Sequence, residues 1–283
     1  MKVLVTGVNG QLGYDVVRKL EEKHYEVVAA GRDQLDIANE ENVESYIGEV
    51  KPHAIIHCAA YTNVDGAEED KDTAYRVNGL GTKYLARAAQ KVGAKMVFVS
   101  TDYVFDGNGD SPYEVDHPTN PLGTYGESKL AGENFLEEHL TRHFIVRTSW
   151  VFGINGNNFV KTMLRLGKER GEVGVVHDQV GSPTYTVDLA GFLVELVESE
   201  EYGTYHASNS GICSWYEFAV EIFKQAGLDV KVNQLTTEQF PRPAARPQYS
   251  VLSTRKVEEK GFTPLRAWKE ALAAYLGEIN NLV

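Results

Sequence analysis

The sequence is poor in cysteine, short of basic residues and free of long apolar runs. Its two cysteines, Cys58 and Cys213, cannot form a disulfide framework, and no CxxC spacing suggests a metal site. Lys and Arg number 28 against 40 Asp and Glu, a formal net charge of −12, whereas a duplex-binding surface needs clustered cations. No window approaches the ~20 apolar residues of a membrane span. We therefore expect no nucleic-acid partner, no membrane partner and no metal.

Two further features restrict the class of protein. The N-terminal apolar run breaks at Gly7, so we expect no secretory signal; together with the low cysteine content this favours a cytoplasmic location. Hydrophobic residues at 42% and charged residues at 24% lie near the globular average, which excludes a disordered, collagen-like or coiled-coil chain. A chain of 283 residues is long enough for one large or two modest domains.

Short apolar runs alternate with amphipathic segments along the first half of the chain. The runs, which are typical of strands buried on both faces, cover residues 2–6, 27–30, 54–58, 96–100 and 143–148. Helical spacing predicts helices over residues 11–22, 39–50 (with Asn39 as N-cap), 74–92 and 125–139. Strands separated by helices of this length indicate βαβ units. We predict an α/β protein with a doubly wound parallel sheet of the Rossmann type.

The pattern of apolar and polar segments changes after Trp150. The second half shows a helix up to about residue 170, a strand at 173–177, helices at 187–198 and 215–225, and an extended polar loop at 241–247. No repeat or low-complexity linker separates the halves. We expect residues 1–150 to form a dinucleotide-binding domain and residues 151–283 to form mainly a smaller substrate-binding lobe. Part of residues 178–210 is expected to belong to the dinucleotide-binding domain.

Glycines at every third position mark the first strand-to-helix turn, in the sequence Gly7-Val8-Asn9-Gly10-Gln11-Leu12-Gly13. A diphosphate must reach backbone N–H groups at a helix N-terminus, where a Cβ would obstruct it. Glycine also serves turns for purely structural reasons, but this placement favours a dinucleotide site formed by Gly7, Gly10, Gln11, Leu12 and Gly13.

The end of the second strand carries a basic rather than an acidic residue. NAD sites usually place Asp or Glu there to bind the adenosine ribose, about 20 residues after the glycines; here the position holds Gly31, followed by Arg32. Arg32 can pair with a 2′-phosphate, although a solvated surface arginine is the alternative. With Asp36 and Ile37 at the edge of the adenine, the pattern predicts NADP(H), with NAD(H) as the second choice.

Tyr125 and Lys129 are four residues apart and so share one helix face. An adjacent ammonium stabilises a phenolate, so we expect Lys129 to move the Tyr125 pKa toward neutrality. The Tyr-x-x-x-Lys pattern alone is weak, but Ser100 and Thr101 close the fourth strand, where ligands bind in such sheets. Thr101 can then supply a hydroxyl beside Tyr125.

Together these motifs resemble the extended short-chain dehydrogenase/reductase superfamily. Asn78-Gly79-Leu80-Gly81-Thr82 matches its NxxGT segment. Within the superfamily the chain is most similar to the dTDP-4-dehydrorhamnose reductase family, through the segments 100–107, 121–126, 147–151, 156–160, 178–184 and 246–250. The family often has two arginines before the proline of the last segment, whereas here the first is Ala245.

The resemblance implies a reaction and its residues. NADPH-dependent reduction of the C4 ketone of dTDP-4-dehydro-L-rhamnose would give dTDP-L-rhamnose. In this reaction Tyr125 would donate the proton and Thr101 would orient the ketone oxygen. Lys129 would lower the Tyr125 pKa and bind the nicotinamide ribose. The resemblance also implies cofactor contacts at Ala59, Ala60, Tyr61, Thr62 and Val99, and substrate contacts at Thr101, Asp102, Tyr103, Trp150 and Arg246. It leaves a monomer and a homodimer equally open.

Alternatives remain for the function and for several residues. An NAD-dependent nucleotide-sugar epimerase or dehydratase has the same fold, and so does a regulatory subunit that has lost catalysis. Trp150 could be a core residue and Asp102 a turn cap. His57 and Cys58 lie within an apolar run, which favours a core role over a catalytic one.

Overall fold

The structure is a computed structural model that describes residues 1–281. Six strands in this range form one parallel sheet in the spatial order β2–β1–β3–β4–β5–β10. Its strands are β1 (Lys2–Thr6), β2 (Glu26–Ala30), β3 (Ala54–His57), β4 (Lys95–Thr101), β5 (His143–Thr148) and β10 (Gly203–His206). The predicted fold class is confirmed.

Helices cover both faces of this sheet, and three two-stranded pairs lie in the second half. The helices are α1 (Gln11–Glu22), α2 (Glu40–Val50), α3 (Val64–Glu69), α4 (Lys71–Tyr75), α5 (Gly81–Val92), α6 (Thr124–His139), α7 (Phe159–Arg170), α8 (Thr186–Glu198), α9 (Trp215–Gln225), α10 (Arg255–Glu259) and α11 (Trp268–Asn281). The short strands are β6 (Val151–Phe152), β7 (Glu172–Val176), β8 (Val180–Gly181), β9 (Thr184–Tyr185), β11 (Cys213–Ser214) and β12 (Lys231–Leu235), paired as β6 with β9, β8 with β11 and β7 with β12.

Alternate side chains of the central strands point into two separate cores. In β1, Val3 and Val5 pack with α1 and α8 on one face, whereas Leu4 packs with α2 and α5 on the other. All three side chains are fully buried. At about 25 cal/mol per Å² of apolar surface, each such residue contributes roughly 1.5–3 kcal/mol. This two-sided burial explains why the strands are near-continuous apolar runs.

The second half of the chain returns to complete the first sheet. Strand β10 pairs with β5, and α8 covers the same face as α1. A third apolar core, between α7, α9 and α11, lies in the rest of the second half. The limit at residue 150 and the substrate-binding role of residues 151–283 stay predictions. Within residues 1–281, no helix combines the length and apolar character needed to cross a bilayer.

The helix predicted over residues 74–92 is confirmed, but it contains a turn that the sequence did not predict. Helical backbone runs without a break from α4 through a π-helical turn at Arg76–Leu80 into α5. The wider turn buries Asn78, whose amide bonds to groups outside the helix. Periodicity could not show this, because a π-turn is stabilised by tertiary contacts at a functional site. By contrast, Asn39 caps α2 as predicted, accepting a bond from the Asn42 amide.

The strand order reverses between β1 and β3. The chain crosses to β2 on one side of β1 and to β3, β4 and β5 on the other. In open α/β sheets this reversal leaves a crevice beyond the carboxyl ends of the strands, which is the usual ligand site.

Candidate active site

A cleft of about 1340 Å³ opens at the carboxyl edge of the sheet. With one exception, it is lined by every residue that the sequence predicted for the site: Gly7, Gly10, Gln11, Leu12, Gly13, Arg32, Asp36, Ile37, Ala59, Ala60, Tyr61, Thr62, Val99, Thr101, Asp102, Tyr103, Tyr125, Lys129 and Trp150. The exception is Arg246. Residues more than 140 positions apart in the sequence therefore share one cavity.

The glycine turn has no room for side chains. Gly7 adopts φ +71°, and a Cβ there would lie 2.5 Å from the Ala59 nitrogen; one at Gly13 would lie 2.3 Å from the Gly7 oxygen. Helix α1 begins at Gln11 without a side-chain cap, which leaves its first amides free to bind an anion. This cradle fits the diphosphate of a dinucleotide.

The side chain of Gln11 makes contacts that the sequence did not predict. Its side-chain oxygen accepts bonds from the Gly153 amide (3.0 Å) and the Asn158 amide group (3.0 Å). Asn155 also donates to the Asn9 carbonyl at 2.8 Å. The Gln11 side chain therefore fastens the glycine turn to the second half, and its backbone N–H remains for the cofactor.

Two arginines, Arg32 and Arg76, line the cleft together with Asp36, Glu40 and Glu41. Arg32 is exposed and projects from the end of β2. The backbone amide of the preceding Gly31 donates to the side-chain oxygen of Gln34 at 3.0 Å. A Cβ at Gly31 would lie 2.9 Å from the side-chain nitrogen of Asn9. Arg76, which sequence reasoning missed, also lines the cleft. Its only sequence signal is its position two residues before the NxxGT segment.

Asn78 connects the loop after β3 to helix α6. Its side chain accepts from the Tyr61 amide (2.8 Å) and donates to the Tyr61 carbonyl (3.1 Å) and the Ser128 hydroxyl (2.9 Å). Ser128 in turn donates to the Tyr125 carbonyl at 2.8 Å. This bridge fixes the predicted ribose loop relative to Tyr125 and Lys129.

Thr101, Tyr125 and Lys129 meet at the end of β4. The Thr101 hydroxyl donates to Asp102 (3.0 Å) and accepts from the Tyr103 amide (3.2 Å). The Tyr103 and Tyr125 rings pack edge to face, with centroids 5.4 Å apart. Lys129 is buried, with its Nζ 4.0 Å from the centroid of the Phe98 ring.

Burial dominates the proton affinities of this cluster. Loss of solvent raises the Tyr125 pKa to about 12, although the Thr101 hydroxyl opposes the shift. Desolvation also lowers the Lys129 pKa to about 7, against the opposing charge of Glu133. The expectation that Lys129 brings the Tyr125 pKa toward neutrality is not met, because desolvation of the phenol is the largest influence on that pKa. A protonated phenol is nevertheless the form that can donate a proton.

Two further groups beside Thr101 are shifted in the same way. Burial raises the Asp102 pKa to about 7, and its Oδ2 has no partner among the described residues. Burial also raises the pKa of the Tyr103 phenol, and the nearby Asp102 charge adds to this. Both side chains thus favour their protonated forms.

Trp150 lies between the cleft and an apolar core. Its ring stacks on Trp215 with centroids 3.7 Å apart, next to the core formed by α7, α9 and α11, while the residue lines the cleft. Its φ of +50° is unusual for a bulky residue. Such strained backbone persists where the surrounding packing imposes it, often at functional sites. Trp215 has no signal in the sequence that would pair it with Trp150.

Arg246 lies outside the cleft. Its Nη2 is 2.9 Å from Asp65 Oδ1, its guanidinium carbon is 6.0 Å from the Tyr103 ring centroid, and its Nη1 is buried without a partner in the described chain. Substrate binding by Arg246 stays a prediction.

His57 lies beneath the cleft. It bonds to Thr6 (2.7 Å) and Thr82 (3.3 Å), and burial lowers its pKa to about 3, which keeps the ring neutral. Burial likewise raises the Cys58 pKa to about 12. Both residues support the sheet edge. Across residues 1–281, no group of three His, Cys, Asp or Glu side chains is placed to hold a metal ion.

The chain is similar to proteins of known name over nearly its whole length. The spore coat polysaccharide biosynthesis protein SpsK of Bacillus subtilis is 47% identical, over 98% of this chain and 97% of SpsK. A dTDP-4-dehydrorhamnose reductase crystal structure from Clostridium acetobutylicum is 49% identical, with a TM-score of 0.97 over 99% of this chain and 100% of that one. The Bacillus anthracis dTDP-4-dehydrorhamnose reductase, solved in complex with NADP, is 47% identical, with a TM-score of 0.96 over 98% of this chain and 99% of that one.

The family model described as the RmlD substrate binding domain matches residues 1–281. The protein therefore belongs to the RmlD substrate binding domain family.

Proposed function

We propose that the protein is an NADPH-dependent dTDP-4-dehydrorhamnose reductase, which reduces the C4 ketone of dTDP-4-dehydro-L-rhamnose to dTDP-L-rhamnose. One observation carries the proposal: Thr101, Tyr125 and Lys129 converge at the carboxyl end of β4, in the same cleft as the glycine cradle. The relatives named above support the choice of substrate and cofactor. A cytoplasmic location and a monomeric or homodimeric state stay part of the proposal.

The side chains divide the reaction between them. NADPH, when bound, supplies the hydride for the ketone carbon. Tyr125 donates its phenolic proton to the ketone oxygen, and the high pKa of that phenol keeps the proton in place until negative charge develops on the oxygen. The Thr101 hydroxyl, which donates to Asp102 in the structure, would turn its proton to the ketone oxygen as a second donor, so that two hydrogen bonds stabilise the forming alkoxide. Lys129 would hold the nicotinamide ribose.

The same geometry disfavours a dehydratase. Eliminating water from a 4-keto sugar requires a second base to remove the C5 proton, and dehydratases that resemble this fold have Asp-Glu after the strand-end threonine. Here Thr101 is followed by Asp102 and Tyr103, and burial raises the pKa of the Tyr103 phenol, which makes it a poor base. A silent regulatory subunit would have no need for the intact cluster of Thr101, Tyr125 and Lys129.

The direct test of the proposed function is the balance between cofactor and sugar. We expect one NADPH to be consumed for each keto-sugar reduced, because the cleft offers no elimination chemistry that would recycle the cofactor. The loss of NADPH absorbance, measured against product formed, gives this ratio. Protein that retains tightly bound NAD⁺ and converts a dTDP-hexose with no net cofactor change would instead indicate an epimerase or dehydratase.

Removing the proton donor should slow turnover without loss of cofactor. Tyr125→Phe is expected to lower kcat by about 10²–10⁴ and to leave NADPH affinity nearly unchanged. Lys129→Met should lower both kcat and NADPH affinity, because the Lys129 ammonium serves Tyr125 and the ribose. Steady-state kinetics and cofactor titration measure the two effects, with Tyr46→Phe, outside the cleft, as control. Near wild-type turnover by Tyr125→Phe would transfer the role of proton donor to Thr101 or a water.

Arg32 should favour NADPH over NADH. A charge-assisted bond to the 2′-phosphate is worth ~1.5–3 kcal/mol, so Arg32→Gln should raise the KM for NADPH about tenfold or more and leave that for NADH unchanged. Kinetics with both cofactors decide this, and Arg165→Gln on the exposed face of α7 is the control. If the wild-type protein prefers NADH, the role assigned to Arg32 is wrong.

Replacing the Asp102 carboxyl should raise the stability of the folded protein and lower its activity. The folded pKa of this carboxyl, about 7 against 3.8 for the free side chain, means that the folded protein loses stability as pH rises from about 4 to about 7. Asp102→Asn removes this loss, so at pH 8 the variant should be more stable, by about 4 kcal/mol, but less active. Thermal melts at pH 4 and pH 8 test this, with the exposed Asp72→Asn as control. An equal gain at both pH values would rule out titration as the cause.

A further inference from the structure

A buried charged cluster lies directly beneath the proposed catalytic residues. Glu133 follows Lys129 by one helical turn on α6 and is 2% exposed. Its Oε1 accepts from the Ser100 hydroxyl (2.5 Å) and from Arg147 Nε (3.0 Å), and its Oε2 accepts from Arg147 Nη2 (2.7 Å). The carboxylate is therefore bound on both oxygens, by the strand that leads to Thr101 and by β5.

Two basic side chains, Arg147 and Lys129, accompany Glu133 in this part of the described structure. Arg147 and Lys129 are both buried. The histidines that face them, His57 on β3 and His206 on β10, stay neutral because burial and these cations lower each pKa to about 3.

Two further acidic groups lie nearby. Cys58 stays a thiol, because burial raises its pKa to about 12, and burial raises the pKa of Asp102, beyond Thr101, to about 7. Without Glu133, the Arg147 guanidinium would be buried without its carboxylate partner, and Lys129 would lose the carboxylate one helical turn away. A buried charge of this kind is costly unless paired.

We propose that Glu133 is a positioning residue for the reaction: fixed by Ser100 and Arg147 one helical turn from Lys129, its buried carboxylate favours the charged form of the Lys129 side chain. The inference rests on the proposed function, because Lys129 matters there as a cation that contacts the cofactor ribose. It assigns a chemical purpose to an ion pair that otherwise only costs desolvation energy. The Coulomb attraction of Glu133 is the largest influence that opposes the desolvation of Lys129.

The test compares Glu133→Gln with Glu137→Gln. The first removes the charge but keeps an oxygen that can accept from Ser100 and Arg147, whereas the second removes an exposed charge one turn further along α6. NADPH binding is titrated by its fluorescence between pH 5.5 and 9, without sugar, and kcat is measured over the same range. We expect the NADPH affinity of Glu133→Gln to fall at least tenfold at pH 8 and to recover toward pH 5.5. The alkaline limb of its kcat profile should lie about one pH unit lower than in the wild type, and its KM for the sugar should be unchanged.

Other outcomes separate this inference from the proposed function. A loss of kcat that is uniform across the pH range, with an unchanged affinity profile, would make Glu133 purely structural and overturn the inference. If Glu133→Gln does not fold, Glu133→Asp keeps the charge but withdraws it by one methylene, and an unshifted alkaline limb in that variant overturns the inference as well. Failure of the wild-type protein to bind NADPH or reduce the keto-sugar would contradict the proposed function itself.

Discussion

Burial of a parallel sheet on both faces is the constraint on which the rest of the structure depends. The backbone groups of β1, β3, β4 and β5 are paired within the sheet, and their side chains fill two apolar cores. Polar chemistry can therefore occur only where the strands end. The reversal of strand order between β1 and β3 opens that edge, and the cleft forms there.

Both halves of the chain contribute to the cleft and are joined beside it. Gln11, at the start of α1, accepts bonds from Gly153 and Asn158, and β10 extends the sheet beside β5. Stacking on Trp215 holds Trp150 in a strained conformation at the cleft wall. The cofactor cradle and the proposed sugar site are thus parts of one packed unit.

The titratable groups proposed for the reaction are buried, which costs stability. Lys129, Asp102 and Tyr125 are each shifted toward their neutral forms by burial. Most buried polar groups in proteins have partners, yet Asp102 Oδ2 and Arg246 Nη1 have none among the described residues. Unpaired polar atoms of this kind, in and beside the cleft, are suited to bind a polar ligand.

Much of the fold could be predicted from the sequence, because strand burial and helix amphipathicity are local patterns. The apolar runs, the glycine spacing and the Asn39 cap depend only on near neighbours, and so each was recognisable. Tyr125 and Lys129 were recognisable because one helical turn brings them to the same face. The π-turn at Arg76–Leu80 was not, because it depends on bonds from Asn78 to residues 17 and 50 positions away.

The tertiary structure alone decided which distant residues meet and how much water reaches them. Ser100, Glu133 and Arg147 come from β4, α6 and β5, and their cluster exists only once these elements pack. The pairing of Arg246 with Asp65 likewise joins residues 181 positions apart. Proton affinities followed the same rule: the sequence indicated an ammonium beside a phenol, but the depth of burial, which no local pattern encodes, raised the pKa of Tyr125 and lowered that of Lys129.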